Sequence, residues 1–379
     1  MILKSIAFND LKSQWDTIEK AVWGPLLEAL RNGQYIGGKK VAEFEASFSR
    51  YTNSTYAIGT SNGTDALKLS LCALGLKGNV NVVIPANTFI SNAFAVSYQN
   101  SATYALSLVD CDEYYQIDCE LLEDHLATTR EKYDECVITP VHLYGHAANM
   151  KRIQELAKKY NCYVIEDASQ AHGAKAFGAH VGSFSDICAY SLYPGKNLGA
   201  AGDAGIITCN DEKYDKKIRS LRNLGCTKKY YHDEVGWNNR LDPIQAIILS
   251  EKLKFLDEWT QKKDNIVRKY DEALCALDWI KTPKTAEYVD VHGHHLYVIR
   301  ITNGQRKEFC EFLNSRGIPT IMHYPVPIHQ SIAYKSLGGI NSYPRTVKFS
   351  DEIVSLPLHP FLTGGEINTI VETIKGFGG

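Results

Sequence analysis

Short apolar segments alternate with longer amphipathic segments from about residue 53 to residue 210. Apolar runs of strand length that are followed by mixed runs of helix length are typical of strands and helices alternating along a chain. We therefore predict an α/β fold with a largely parallel sheet and helices on both of its faces.

The clearest strand–helix–strand unit lies between residues 137 and 167. Residues 137–142 predict a strand that Pro140 ends early, and the apolar positions 153, 156, 157 and 160 follow the spacing of one helix face. Residues 162–165 predict the next buried strand. A right-handed crossover then places the following Glu166 and Asp167 at the carboxyl edge of the sheet, where open α/β sheets bind ligands.

The last third of the chain has a different pattern and predicts a smaller α+β domain. We expect a large domain over residues 1–250, including an N-terminal helical segment, and a C-terminal domain over 251–379. The predicted elements are a long charged amphipathic helix over residues 250–277, a strand over 295–301, a helix over 306–316 and a terminal helix after Gly364 and Gly365.

Charge and composition narrow the classes of partner. The 379 residues carry 41 Lys and Arg against 43 Asp and Glu, which argues against a nucleic-acid or anionic-membrane partner. No apolar run approaches the ~18 residues that span a bilayer, and the first residues lack the apolar core of a secretion signal. The ten cysteines are scattered without a Cys-x-x-Cys pair. We expect reduced thiols in a cytoplasmic protein.

Lys196 stands in an unusual setting for a lysine. It follows a short apolar strand and Pro194-Gly195, and glycines at 199, 202 and 205 come after it. Most lysines are solvated side chains, but glycines at this spacing let the backbone approach a bound group. An amine in such a partly dry pocket has a lowered pKa and can attack an aldehyde.

Asp167 ends the strand of the central unit, 29 positions before Lys196. A carboxylate at that edge could bind a metal, cap a helix or hold the proton of a pyridine ring. Glu166 is the competing residue, but strand alternation directs the two side chains to opposite faces, and we prefer Asp167.

Two further segments complete the pattern. Residues 61–70 predict a helix start whose free backbone N–H groups suit a phosphate, although an ordinary helix cap explains them as well. Phe89 follows a buried strand and could stack on an aromatic cofactor, although alone it is more typical of a core residue. A phosphate site, an aromatic ring, a strand-end carboxylate and a glycine-flanked amine on one sheet together suit pyridoxal 5'-phosphate.

The chain resembles the fold-type I sugar aminotransferases of the DegT/DnrJ/EryC1/StrS family over nearly its whole length. The resemblance implies a large domain with a mostly parallel seven-stranded sheet, a smaller C-terminal α+β domain and a homodimer with shared active sites. Seven motifs appear in the family's order, at residues 34–38, 61–67, 142–145, 165–173, 190–205, 236–242 and 355–361.

The resemblance also implies residue roles at the cofactor. Lys196 would be the Schiff-base lysine and proton shuttle, and Asp167 would be the partner of the pyridine nitrogen. Gln170 would contact the phenolic oxygen of the ring, and Phe89 would stack on its face. Some relatives that deoxygenate sugars carry His in place of the lysine, so Lys196 favours transamination.

The remaining implied contacts concern the phosphate and the substrate. The phosphate would be held by Gly63, Thr64, Ser191 and, from the other subunit, Asn238. The sugar pocket would be lined by Tyr193, His323, Tyr324 and His329. The Lys and Arg residues between 219 and 229 are candidates for the nucleotide diphosphate, although a solvated charged face explains them equally well.

The implied reaction is transamination of a nucleotide-linked keto-sugar with L-glutamate, through the pyridoxamine form of the cofactor. Residues 193–200 and 323–329 are similar to the branch that aminates C3 of dTDP-linked 3-keto-6-deoxyhexoses. A C4-aminotransferase, a dehydrating relative and a non-catalytic regulatory protein are the alternatives. His142, His146, His292, His294 and His295 raise the idea of a metal, but Cys or carboxylate ligands at metal-site spacing are lacking, and we expect none.

Overall fold

The computed structural model describes residues 5–99 and 102–377. Its α-helices are α1 (Leu11–Arg31), α2 (Lys39–Thr52), α3 (Gly63–Ala73), α4 (Ser91–Ser97), α5 (Cys119–Thr129), α6 (Met150–Tyr160), α7 (Glu212–Leu221), α8 (Pro243–Leu253), α9 (Leu256–Leu274), α10 (Arg306–Asn314), α11 (Pro344–Glu352) and α12 (Gly364–Lys375). Its strands are β1 (Tyr56–Thr60), β2 (Val80–Pro85), β3 (Tyr104–Val109), β4 (Glu135–Ile138), β5 (Tyr163–Asp167), β6 (Lys175–Ala176), β7 (Ala179–His180), β8 (Ile187–Ser191), β9 (Gly205–Cys209), β10 (Cys226–Lys228), β11 (Tyr231–His232), β12 (Ile280–Lys281), β13 (Val289–Val291), β14 (Tyr297–Ile301) and β15 (Ile353–Leu356).

A sheet of seven strands lies at the centre of the fold, in the order β1–β9–β8–β5–β4–β2–β3. Strands β8, β5, β4, β2 and β3 are parallel, and β9 is antiparallel to both β1 and β8. Helices α3, α4 and α7 pack on one face, and α2, α5, α6 and α8 pack on the other. The predicted mostly parallel seven-stranded sheet is confirmed.

The strand–helix–strand unit has the predicted form. Strand β4 ends at Ile138, before Pro140, since a proline cannot donate a hydrogen bond to the ladder. In α6, Ile153, Leu156 and Ala157 are buried on one face. Strand β5 extends to Asp167, so the acidic pair closes the strand instead of following it.

The predicted long helix over residues 250–277 is wrong in one respect, because two helices cover this region. Helix α8 ends at Leu253, and α9 begins at Leu256. At the break the Phe255 ring stacks on Trp259 at 5.7 Å, and the Phe255 N–H donates to Lys252 O at 3.0 Å. Residues 254 and 255 are neither Gly nor Pro, so the break has no local sequence signal.

The C-terminal part has its own core, in which the antiparallel strands β12, β14 and β15 pack against α9, α10 and α12. Ile6 from the opposite end of the chain joins that core, and its N–H donates to Gly317 O at 2.9 Å. Strand β13 pairs with β6 of the preceding region. The division into 1–250 and 251–379 stays a prediction. Among the described residues, no helix is long and apolar enough to cross a membrane.

A buried carboxylate, Glu45, ties α2 to the sheet and to α7. It accepts a hydrogen bond from the Gly59 N–H at 2.8 Å. It also forms ion pairs with Arg219 at 2.9 Å and with Arg222, at the end of α7, at 2.6 Å. Both guanidinium groups therefore have a structural partner inside the protein.

We expect Glu45→Gln to lower the free energy of unfolding by about 3 kcal/mol, because it leaves the partly buried Arg222 guanidinium without its counter-charge and Arg219 with Asp215 alone. Urea denaturation would measure the change. Glu43→Gln is the matched control on the same helix, where the carboxylate is exposed and forms only surface pairs with Lys39 and Lys40. Equal losses in the two variants would contradict the assignment.

Candidate active site

A cavity of about 750 Å³ opens at the carboxyl edge of the sheet. Its walls come from the segments that follow β1, β2, β5 and β8 and from the C-terminal part of the chain. Ten of the twelve site residues predicted from the sequence line it: Gly63, Thr64, Phe89, Asp167, Gln170, Ser191, Tyr193, Lys196, His323 and Tyr324.

Lys196 lies in the tight turn after β8, in which its backbone N–H donates to Tyr193 O at 2.8 Å. The side-chain amide of Asn9 fixes the same turn by donating to Gly195 O at 3.2 Å. Burial lowers the pKa of the Lys196 amine to about 8, and the nearby charge of Asp167 opposes part of that shift. About a tenth of the amine is therefore unprotonated at pH 7, far more than in an ordinary lysine.

Strand alternation separates the two acidic residues, as predicted. The Asp167 carboxylate lines the cavity, where it accepts hydrogen bonds from Asn92 Nδ2 at 2.7 Å and from the Ser169 N–H at 2.9 Å. Glu166 is directed away from the cavity and accepts from His142 Nε2 and Gly182 N, each at 2.8 Å. Asp167 is thus the carboxylate that a bound ring could meet.

The start of α3 forms an anion cradle. The Asn62 side chain caps Asp65 N at 2.8 Å, and the first intrahelical bond runs from Ala66 N to Asn62 O at 3.0 Å. The backbone N–H groups of Gly63 and Thr64 precede that bond and suit a phosphate. A Cβ on Gly63 would lie 2.5 Å from Ser191 Cβ, so glycine is needed where α3 approaches β8.

Phe89 is not a core residue, since 48% of its surface is exposed and its ring lies 5.2 Å from that of Tyr324 at the cavity wall. Gln170 has a fixed amide orientation. Its Oε1 accepts from Tyr144 N at 2.8 Å, and its Nε2 donates to Tyr324 Oη at 3.1 Å. The Gln170 amide therefore presents a donor on the side of the cavity where Tyr324 lies.

Two predicted residues lie outside this lining. Asn238 is exposed, on the segment that follows the hairpin of β10 and β11. His329 is buried against Tyr343, with 4.9 Å between the ring centroids. Of the predicted diphosphate partners, Arg219 and Arg222 are paired with Glu45, whereas Lys228 and Lys229 are on the hairpin itself.

Some residues of the site were not predicted from the sequence. Asn92 donates to Asp167 from α4, and His295 lines the cavity near Lys196. Burial lowers the pKa of His295 well below its usual range. Asn92 follows the predicted Phe89 by three positions, at the start of α4, so its closeness to Phe89 could have pointed to it. No motif marks His295, which reaches the cavity from a segment distant in sequence.

These residues fit pyridoxal 5'-phosphate. The α3 cradle suits its phosphate, the half-exposed Phe89 its ring face, Asp167 its ring nitrogen and the Lys196 amine its aldehyde. A mostly parallel sheet that carries this set at its carboxyl edge defines a pyridoxal-phosphate enzyme of fold type I.

The comparisons with known proteins identify the family. Residues 16–375 match the model of the DegT/DnrJ/EryC1/StrS aminotransferase family, and the chain belongs to that family. It is 38% identical to dTDP-3-amino-3,6-dideoxy-alpha-D-galactopyranose transaminase from Aneurinibacillus thermoaerophilus, over 98% of this chain and 99% of that protein. It is 34% identical to UDP-2-acetamido-2-deoxy-3-oxo-D-glucuronate aminotransferase from Pseudomonas aeruginosa, over 96% of this chain and 98% of that protein.

Solved structures agree with this membership. The crystal structure of Streptomyces venezuelae DesV with a ketimine intermediate superposes with a TM-score of 0.92 at 34% identity, covering 98% of each chain. NtdA from Bacillus subtilis with bound cofactor PMP has a TM-score of 0.89 at 28% identity, covering 99% of this chain and 85% of that one. The protein is a pyridoxal-phosphate-dependent sugar aminotransferase.

We expect covalent capture of Lys196 by an aldehyde to become faster with rising pH through about 8 and to level off above it. Only the neutral amine attacks an aldehyde, and burial disfavours the ammonium form, so the proton leaves below the ordinary value of 10.5. The measurement is the initial rate of borohydride-trapped pyridoxal phosphate on the Lys196 peptide. The exposed Lys213, whose pKa is raised by its bond with Asp211, is the internal control. Identical pH profiles would contradict the prediction.

Proposed function

We propose that this protein transfers an amino group from L-glutamate to a nucleotide-linked keto-sugar, with a dTDP-linked 3-keto-6-deoxyhexose as substrate and the 3-amino sugar as product. The observation that carries the proposal is one cavity that holds a buried amine of lowered pKa, Lys196, and the hydrogen-bonded carboxylate of Asp167. These are the two groups that amino transfer on a pyridine ring requires.

The chain's own residues divide the work. Pyridoxal phosphate supplies, when bound, an aldehyde that exchanges amines and a ring that withdraws electrons. Asp167, held by Asn92 and the Ser169 N–H, keeps a proton on the ring nitrogen. The Nζ of Lys196 accepts the proton that leaves the α-carbon of the amino donor. It then delivers that proton to the carbon that carried the aldehyde. With the keto-sugar, the same Nζ moves the proton in the reverse direction.

The sugar side of the cavity is polar but holds little charge. Burial lowers the pKa of His323 to about 4, and the charge of Lys196 adds to that effect, so the imidazole is neutral at physiological pH. Its Nδ1 is engaged with Ser355 Oγ at 2.8 Å, which leaves Nε2 for a ligand. We propose that this atom and the hydroxyl of Tyr324 bind sugar hydroxyl groups, with the exposed Tyr193 at the cavity mouth.

Two observations support amination at C3. Residues 193–200 and 323–329 have the motifs of the C3 branch. Both curated relatives described above also act at position 3 by their names, one as a dTDP-3-amino sugar transaminase and the other on a UDP-linked 3-oxo sugar. The two relatives differ in nucleotide, and our choice of dTDP follows the motif resemblance and the 38% identity.

We propose that the active protein is a homodimer in which Asn238 of each subunit completes the phosphate site of the other. Its exposed position beside a projecting hairpin supports this arrangement. The α1–α2 region also exposes Trp23, Leu27, Tyr35 and Ile36, large apolar side chains of the kind that a second subunit would cover.

We expect Lys196→Ala to abolish amino transfer, because the variant lacks the group that moves the proton. Borohydride trapping of pyridoxal phosphate at this position should disappear as well. Lys213→Ala, which removes an exposed amine, is the control and should retain both properties. Turnover or trapping at the wild-type level in Lys196→Ala would overturn the assignment.

Incubation with L-glutamate and either dTDP-linked 3-keto or 4-keto sugars should yield an amino sugar only from the 3-keto compound. NMR of the product would locate the new nitrogen, and a parallel UDP-linked 3-keto sugar would test the nucleotide. Amination at C4 would reject the C3 assignment. Failure to convert glutamate to 2-oxoglutarate even without sugar would favour the non-catalytic regulatory protein.

A further inference from the structure

Two buried amines lie behind the cavity, and the proposed reaction uses neither of them. Lys252 in α8 and Lys263 in α9 are each only 5% exposed. Among residues 5–99 and 102–377, neither forms an ion pair with a carboxylate, and burial alone lowers their pKa values, to about 8 and about 7. Burying an amine without a counter-charge is costly, so a pair of such amines beside an active site indicates a function.

Lys252 holds the C-terminal side of the Lys196 segment. Its Nζ donates to the backbone oxygen of Gly199, three positions after Lys196, at 2.8 Å. A second bond to Gln14 Oε1 at 3.3 Å links the same amine to α1. The backbone oxygen after the catalytic turn is thus fixed to two helices through one side chain.

Lys263 is linked to the same C-terminal side of the segment, at Asn197, through a shared carbonyl oxygen. Its Nζ donates to Gly293 O at 3.1 Å and to His294 O at 2.8 Å. The Gly293 oxygen also accepts from the side-chain amide of Asn197, the residue next to Lys196. The amine therefore joins the Lys196 segment to the loop that carries His295 into the cavity.

We propose that Lys252 and Lys263 form a lysine brace, a pair of positioning residues that hold the Lys196 segment against α8 and α9 and keep the Lys196 amine in a dry position. The inference depends on the role of Lys196 proposed above. It assigns no chemical step to the brace itself.

A lysine amine has enough N–H donors for this positioning role. Each brace residue makes two bonds, and a neutral amine still has two N–H donors, so the brace stays intact whether or not its lysines are protonated. Without the brace lysines, each of the backbone oxygens that they contact would lose one hydrogen-bond donor.

Loosening the brace should change a measurable property of Lys196. Burial is the main cause of the lowered pKa of Lys196. When the segment moves and water reaches the amine, its pKa rises toward the ordinary value of 10.5. A role of the brace limited to overall stability would leave that pKa unchanged in the folded protein.

The test compares Lys252→Met and Lys263→Met, which keep the apolar stem and remove the donors, in the full chain freed of cofactor. The readout is the initial rate of borohydride-trapped labelling of Lys196 by pyridoxal 5'-phosphate as a function of pH. We expect the midpoint to rise from about 8 by ~1 unit, and the rate near neutral pH to fall ~10-fold.

Matched controls lie close to the brace residues, Lys254 directly after α8 and Lys262 in α9. Lys254→Met and Lys262→Met remove amines that form surface pairs with Glu251 and Glu258. In these variants the labelling of Lys196 should have the same pH midpoint as in the unaltered protein. Lys263→Arg retains N–H donors, so its pH midpoint for Lys196 labelling should lie closer to that of the unaltered protein than to that of Lys263→Met. If a Met variant fails to fold by circular dichroism, the Gln variants at 252 and 263 should show the same upward shift.

Two outcomes would reject different parts of the proposal. If the brace variants fold and label Lys196 with the same midpoint as Lys254→Met and Lys262→Met, the brace is rejected while the role of Lys196 stands. If the unaltered protein is not labelled at Lys196 at any pH, the proposed function itself fails.

Discussion

The direction of the strands is the constraint on which the whole site depends. Strands β2, β4, β5 and β8 are parallel, so their carboxyl ends meet at one edge of the sheet. Asp167 at the end of β5 pairs in register with Ala189 of β8, and Lys196 follows β8 after a short turn. The carboxylate and the amine thus face one cavity, although 29 positions separate them in the sequence. An antiparallel neighbour would have sent the Lys196 turn to the other edge.

Desolvation sets the character of the chemistry at this edge. Burial lowers the pKa values of Lys196, His295 and His323, so the basic groups around the cavity hold fewer protons than they would in water. The carboxylate of Asp167 instead accepts two hydrogen bonds, from Asn92 Nδ2 and from the Ser169 N–H. At a given pH the Lys196 amine therefore has more of its neutral form than an exposed lysine, and the backbone N–H groups at the start of α3 suit a phosphate.

Sequence reasoning identified the parts of the site that are encoded by contiguous motifs. The helix start at Gly63, the strand end at Asp167 and the turn at Lys196 each combine a secondary-structure signal with residues suited to the chemistry, and the structure brings all three together. His295 was missed because it reaches the cavity from a distant element, and nothing around it in the sequence marks that approach. Asn92 lies three positions after Phe89, but its role depends on a bond to Asp167, which is 75 positions away. Residue roles and the domain division remain predictions, since geometry alone gives proximity and not action.

The break between α8 and α9, which the sequence prediction missed, separates the two brace lysines. On one straight helix, Lys252 and Lys263 would be eleven residues, or about 16 Å, apart along a single axis. The break after Leu253 lets the two helices approach the Lys196 segment separately, so one amine reaches Gly199 O and the other reaches Gly293 O. Periodicity favours an uninterrupted helix here because the residues at the break are ordinary helix formers. The bonds that the two amines make hold the Gly199 backbone and, through Gly293 O, the Asn197 side chain, both on the C-terminal side of the reactive amine.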